Sequence, residues 1–400
     1  AALMKRLRII KRRAALAAAL GDLTGLWPLA RVTGSLSDTA DLTLDAAVAH
    51  ILQKLEEAGH IRLADSDRAC RNSGFFILGM GKLGSRELNY SSDVDLIVLY
   101  DPLRMRAEDP DALRQACVRA TRDLMRIMDS RTADGYVFRT DLRLRPDPGA
   151  TPLAMTVGAA ETYYESLGQN WERAAMIKAR PVAGDKALGQ EFLQHIRPFV
   201  WRKHLDFAAI QDIHSIKRQI NAHRGGAQIA VNGHDIKIGR GGIREIEFYA
   251  QTQQLIWGGR EPGLRQQQTC PAIAALHDFG HVRVEALDDL VQAYDFLRRL
   301  EHRLQMVDDK QTQKMPAEDD KVDAIARFMG YAETADFREA LLGHLGRVEN
   351  HYAKLFEEAP DLGGGGSLVF TGTEDDPDTV ETLTNMGFRN ASTVSAQIRT

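Results

Sequence analysis

The sequence predicts a mixed α/β domain that is preceded by helices and followed by a helical bundle. Two short apolar runs, residues 75–78 and 96–100, flank a glycine-rich turn and are typical of buried strands. Apolar residues at spacings of three and four dominate residues 1–70 and again about 187–359. These patterns predict helical residues 1–70, an α/β domain over 71–185, a bundle over 186–360 and a linker over 361–400.

Two helices of the predicted bundle are marked by apolar stripes. Ile210, Ile213, Ile216 and Ile220 form one stripe, and Leu290, Leu297 and Leu304 belong to another. The linker begins with a run of glycines at 363–366 and continues as an acidic segment with few large apolar residues.

Composition excludes several classes of partner. The chain has 51 basic and 55 acidic residues and a net charge of −4, so no strong field favours nucleic acid or an anionic membrane, and we expect neither. No apolar run has the length of a membrane span. Cys70, Cys117 and Cys270 are isolated and form no disulfide or zinc pattern, which predicts a cytoplasmic protein.

Asp93 and Asp95 stand at the start of the second apolar run. Side chains on a strand alternate, so both carboxylates point to one side while Val94 and Leu96 point to the other. Two such charges resist joint ionisation unless a cation neutralises them, and Mg²⁺ prefers oxygen ligands. The alternative is that both acids only cap a turn.

The glycines of this stretch also fit a dinucleotide-binding fingerprint. Gly79, Gly81 and Gly84 have the spacing G-x-G-x-x-G, and Asp101 follows at a suitable distance. That fold requires an apolar-faced helix after the third glycine, whereas residues 85–92 are mostly polar. We therefore reject it.

A third acid comes from residues 135–146, which alternate as a strand does. Phe138, Leu142 and Leu144 are predicted on one face, with Asp141 and Arg143 on the other. Three carboxylates on adjacent strands can hold two metal ions for an in-line phosphoryl displacement, and arginine suits phosphate oxygens. The alternative is a solvated strand face.

Further basic and glycine residues are candidate phosphate ligands: Lys178, Arg180, Lys237, Gly241 and Gly242. The glycines precede a predicted helix, whose free amides attract anions. A tight turn between helices explains the same residues without a ligand. The charged run at 298–303 is predicted to be an ordinary charged helix face with local ion pairs and no catalytic role.

Four motifs carry a resemblance to known proteins. GMGKLGSRELNYSSDVDL, DLRLRP, NWERAAMIKARPVAGD and GRGGIREIEF together resemble the bifunctional glutamine synthetase adenylyltransferase/adenylyl-removing enzymes, and GGIREIEF resembles their N-terminal, adenylyl-removing half. The glycine turn and acidic strands resemble the nucleotidyltransferase superfamily typified by DNA polymerase β. The resemblance implies that a second catalytic half follows the linker.

The resemblance implies a reaction and a set of roles. Phosphate would attack an adenylyl group on a glutamine synthetase tyrosine and release ADP. Asp93, Asp95 and Asp141 would serve two Mg²⁺ ions, and the turn would cradle nucleotide phosphates through Gly81, Lys82, Gly84 and Ser85. The family's other ligands and partners are ATP and the PII signal protein. The alternatives are adenylylation from ATP and a regulatory docking module without catalysis.

Overall fold

The computed structural model of the chain describes residues 2–107, 109–203, 228–357, 379–380, 383–384 and 390–393. Contacts divide the chain into a large unit, Ala1–Tyr352, and a small one, Ala353–Thr400. The predicted stripe at Ile210, Ile213, Ile216 and Ile220, and most of the predicted linker at 361–400, lie outside the described residues. The domain boundaries within the large unit stay predictions.

A mixed sheet forms the centre of the large unit. Its strands are β1 (Phe75–Gly79), β2 (Val94–Tyr100), β3 (Thr140–Asp141), β4 (Ala154–Thr156) and β5 (Arg180–Gly184). β1 is central and antiparallel to both β2 and β5. β3 and β4 each pair in parallel with β2. An antiparallel β1–β2 pair confirms that the glycines do not belong to a dinucleotide-binding unit, which needs a parallel pair.

Helices cover both faces of the sheet, because alternate strand residues face opposite ways. Val94, Leu96 and Val98 belong to one core cluster, with residues of α1 (Ala2–Leu23), α2 (Leu29–Glu57) and α4 (Pro110–Asp129). Ile97 and Leu99 belong to the other cluster. The helices on that side are α5 (Val157–Ser166), α6 (Asn170–Met176), α7 (Lys186–His195) and α8 (Arg197–Val200).

Helix α4 is capped at its first turn. The Asp109 side chain accepts hydrogen bonds from the amides of Asp111 and Ala112, and Pro110 opens the helix. Leu113, Cys117, Ala120, Leu124 and Met128 are buried against the sheet.

The strand predicted over 135–146 is wrong for most of its length. Only Thr140–Asp141 pairs with β2, and the chain turns immediately afterwards. Consequently Phe138 and Leu142 belong to one core cluster while Leu144 packs against the other.

The remaining helices form the bundle: α9 (Ile243–Trp257), α10 (Thr269–Asp278), α11 (Val284–Asp308), α12 (Asp319–Phe328) and α13 (Thr334–Glu357). Leu290, Leu297 and Leu304 are buried on α11, as their spacing predicts. No helix among the described residues is long and apolar enough to cross a membrane.

A short helix, α3 (Gly81–Gly84), follows β1. Its last residue, Gly84, cannot be replaced by any other residue unless the surrounding backbone shifts. A Cβ at Gly84 would lie 2.0 Å from the Lys178 carbonyl oxygen and 2.5 Å from that of Gly79. Both obstacles are backbone atoms, so the strand pair β1–β5 would have to move.

We expect Gly84→Ala to lower the free energy of unfolding by about 2–4 kcal/mol, because overpacking here displaces backbone. Gly158→Ala is the control, since a Cβ there meets nothing within 4 Å. It should be neutral or slightly stabilising. Urea unfolding measures both, and equal stability of the two variants would contradict the close packing at Gly84.

Candidate active site

Two carboxylates face each other across the parallel pair β2–β3. Asp95 is in register with Asp141, and the preceding pair is Val94 with Thr140. Registered residues of neighbouring strands present their side chains to the same face of a sheet. The structure therefore brings Asp95 and Asp141 to one side, the side of Ile97 and Leu99.

Asp95 occupies an unfavourable environment for a negative charge. Burial raises the pKa of its carboxyl to about 6, and repulsion from Asp141 and Asp93 contributes, while Lys237 and Arg143 oppose the shift. Among the described residues, its carboxylate has no hydrogen-bond partner. A cation at this position would remove the repulsion.

The other two acids are held by arginines. Arg143 Nε lies 2.8 Å from Asp141 Oδ2, and this hydrogen bonding lowers the pKa of Asp141. Arg139 Nε lies 2.7 Å from Asp93 Oδ1, and Gln311 Nε2 lies 3.1 Å from Asp93 Oδ2. In the described part of the chain, no three His, Cys, Asp or Glu side chains converge closely enough to hold a metal ion.

The glycine turn approaches Asp95 directly. Gly81 has a φ of +51°, and a Cβ on it would lie 2.7 Å from Asp95 Oδ2. The Ser85 hydroxyl is buried and donates to the Gly81 carbonyl oxygen at 3.1 Å, so it braces the turn from within. Gly81 is thus the residue that lets backbone reach the acidic pair.

Lys82 points toward the bundle. Its ammonium lies 2.7 and 2.9 Å from the two carboxylate oxygens of Glu301 on α11. Burial opposes ionisation of Glu301, but the charges of Lys82 and Arg298 outweigh it and lower its pKa to about 2. The Lys82 ammonium, which is predicted to bind phosphate, is therefore already paired with a carboxylate.

Lys178 and Arg180 also have carboxylate partners. Lys178 is buried, with its ammonium 2.7 Å from Glu247 Oε1 and 3.4 Å from Glu87 Oε2. Arg180 binds Asp41 through two nitrogens and donates to the carbonyl oxygens of Leu83 and Gly84. Both side chains therefore stabilise the glycine turn. Their role as phosphate ligands stays a prediction.

The amides of Gly241 and Gly242 already have hydrogen-bond partners, and their role as phosphate ligands stays a prediction. A Cβ at Gly241 would lie 2.1 Å from the Leu345 carbonyl oxygen. The absence of a side chain at Gly241 therefore allows the loop to pack closely against α13. The Gly241 amide donates to Glu245 Oε2, and that of Gly242 donates to the Gly239 carbonyl oxygen.

The first amides of α9 are likewise occupied. The amides of Ile243, Arg244 and Glu245 donate to the carbonyl oxygens of Ile236, Lys237 and Gly242. The loop is the tight connection that the alternative interpretation describes.

Lys237 remains a candidate ligand. Its charge acts on Asp95, Lys82 and Glu301, which places it beside the acidic pair. In the described part of the chain, its ammonium has neither an ion pair nor a hydrogen bond.

The charged helix face predicted at 298–303 turns inward for four residues: Arg298, Glu301, His302 and Arg303 are all buried. The predicted local ion pair between Arg298 and Glu301 is present. Arg298, Glu301 and His302 continue a stripe with Tyr294 and Gln305, a spacing visible in the sequence. The sequence did not indicate that these charged residues are buried, because their partners lie some two hundred or more positions away in the chain.

By fold and site, the chain is a mixed α/β domain with an acidic pair at one end of its strands, joined to a helical bundle. The family model for Glutamate-ammonia ligase adenylyltransferase matches residues 1–195, and that for GlnD PII-uridylyltransferase matches residues 213–356.

Curated relatives match over the whole chain. Bifunctional glutamine synthetase adenylyltransferase/adenylyl-removing enzymes from Brucella melitensis and Rhizobium meliloti are each 53% identical, and each match covers 100% of the chain and 41% of the relative. The enzyme of that name from Bradyrhizobium diazoefficiens is 46% identical, over 100% of the chain and 40% of its own length. The chain is therefore similar over its whole length to enzymes of this family, and it spans about two fifths of the length of these relatives.

We expect Asp95→Asn to stabilise the protein in the absence of divalent cations. A carboxyl whose pKa is raised from 3.8 to about 6 in the fold destabilises the fold once it ionises, so the cost is complete above pH 6 and disappears below pH 4. The gain at pH 8 should approach about 3 kcal/mol and should vanish near pH 4.

Urea unfolding with EDTA at the two pH values measures this difference. Asp123→Asn is the control, because that carboxylate is 51% exposed on α4 and pairs only with Arg126 among the described residues. A loss of stability in Asp95→Asn at pH 8 would contradict the repulsion at the site.

Proposed function

We propose that the chain removes AMP from adenylylated glutamine synthetase by phosphorolysis. A phosphate oxygen attacks the phosphorus of the adenylyl-tyrosine, the bond from phosphorus to the tyrosyl oxygen breaks, and ADP and unmodified tyrosine are formed. The observation that carries this proposal is the registered pair Asp95 and Asp141 beside the glycine turn, in a chain similar to enzymes of this family. We further propose that the domain has the nucleotidyltransferase fold.

The residues present fit a magnesium site of two carboxylates. Asp95 has a raised pKa and Asp141 lies opposite it, so both gain from a shared cation. Asp93 can join them if it leaves Arg139. Bound Mg²⁺ supplies charge stabilisation at the phosphoryl oxygens and the leaving tyrosyl oxygen.

The chain's own residues bind and orient the substrates. Gly81 keeps the turn open to a group that lies against Asp95, since any side chain there would fill that space. Lys237 has no ion pair with any described residue, and it offers its positive charge to phosphate oxygens. Arg143 is 84% exposed, so it can exchange Asp141 for a phosphate oxygen at little cost.

The test uses adenylylated glutamine synthetase with phosphate and Mg²⁺, read by intact mass of the synthetase and by ADP formed. We expect turnover that falls about a hundred-fold or more in Asp95→Asn and Asp141→Asn, the loss typical of one strong transition-state contact. Asp123→Asn should match the unaltered protein.

Turnover only with ATP and unmodified glutamine synthetase would instead establish the forward adenylylation. Equal turnover in all variants would reject the acidic pair as the site.

A further inference from the structure

Helix α11 contacts several residues of the catalytic segment, defined here as residues 81–93, through one polar stripe. Arg298 donates to the Glu87 carbonyl oxygen and to Asn89 Oδ1. His302 lies 3.2 Å from Asn89 Oδ1 through its Nε2, and the Ser91 amide donates to Gln305 Oε1 at 3.0 Å. The stripe thus follows the segment for about two helical turns.

Both ends of the segment are fixed from the same side. At the first end, Glu301 holds Lys82, the neighbour of the glycine that touches Asp95. At the other end, the Ser91 hydroxyl donates to the Asp309 carbonyl oxygen just after α11. Gln311 donates to Asp93 from the segment that follows.

This contact consists of buried charges. Lys82 and Glu301 have side-chain exposures of 12% and 1%, and Arg298 and Glu301 have 0% and 1%. Buried ion pairs add little net stability, since desolvation offsets attraction, and apolar residues of similar volume often stabilise as well. What such pairs define is one register between two surfaces, because each charge needs its own partner.

We infer that Glu301 and Arg298 are positioning residues, which hold the catalytic segment beside the acidic pair through Lys82 and Asn89. The inference rests on the proposed function for its kinetic consequence only. In this inference Lys82 holds the glycine turn against the bundle, and the bundle contributes to the geometry of the active site.

The experiment compares Glu301→Gln, Lys82→Gln and their double variant with Glu285→Gln, an exposed residue in the first turn of the same helix. Hydrogen exchange of the amides in residues 81–91 reports the anchoring, and thermal unfolding reports global stability. We expect exchange in this segment to quicken by about ten-fold or more in Glu301→Gln, as a local opening, and not in Glu285→Gln.

Kinetics separate positioning from stability and from direct binding. Because geometry for the transition state is lost, kcat should fall about ten-fold or more at unchanged KM for phosphate. The loss should be equal in both single variants and in the double variant, since they remove one contact. Removing the unpaired lysine in the double variant should restore thermal stability without restoring kcat.

Several results would overturn the inference. A double variant that recovers kcat along with stability shows a purely structural role. A raised KM for phosphate in Lys82→Gln alone makes Lys82 a ligand. Unchanged exchange in Glu301→Gln rejects the anchoring, and this readout decides the matter even if the unaltered protein turns over no substrate, which would reject the proposed function separately.

Discussion

Burial of Asp95 next to a second carboxylate is the constraint around which the site is built. A parallel strand pair places Asp141 in register with Asp95, and burial denies Asp95 the water that would stabilise its charge. The surrounding residues reduce the cost of this arrangement: Arg143 pairs with Asp141, and Lys237 lies near Asp95. A carboxyl group whose pKa is perturbed in this way is typical of functional sites, including sites that bind a charged ligand.

The positive charges around the site divide into two groups by what they already touch. Lys82, Lys178 and Arg180 are neutralised by carboxylates from α11, α9 and α2. They give the turn its shape. Lys237 has no such partner in the described part of the chain, and Arg143 has one that solvent can replace. The charge available to a phosphate therefore comes from few residues, although many basic side chains are near.

The sequence predicted the features that depend on local order. Apolar runs and period-two alternation located β1 and β2 and put Asp93 and Asp95 at a strand start. The long strand at 135–146 failed because alternation shows which face a residue prefers and cannot show where a neighbouring strand ends. The buried faces of Arg298 and Glu301 were missed because each charge is paired across some two hundred residues.

The most direct measurement is a crystal structure of the protein grown with Mn²⁺, whose anomalous signal identifies the metal. The proposed site predicts an anomalous peak bound by the carboxylates of both Asp95 and Asp141, with Arg143 turned away from Asp141. A structure with Mn²⁺ bound elsewhere, or with none bound and the Arg143–Asp141 pair intact, would contradict a cation-binding role for this acidic pair.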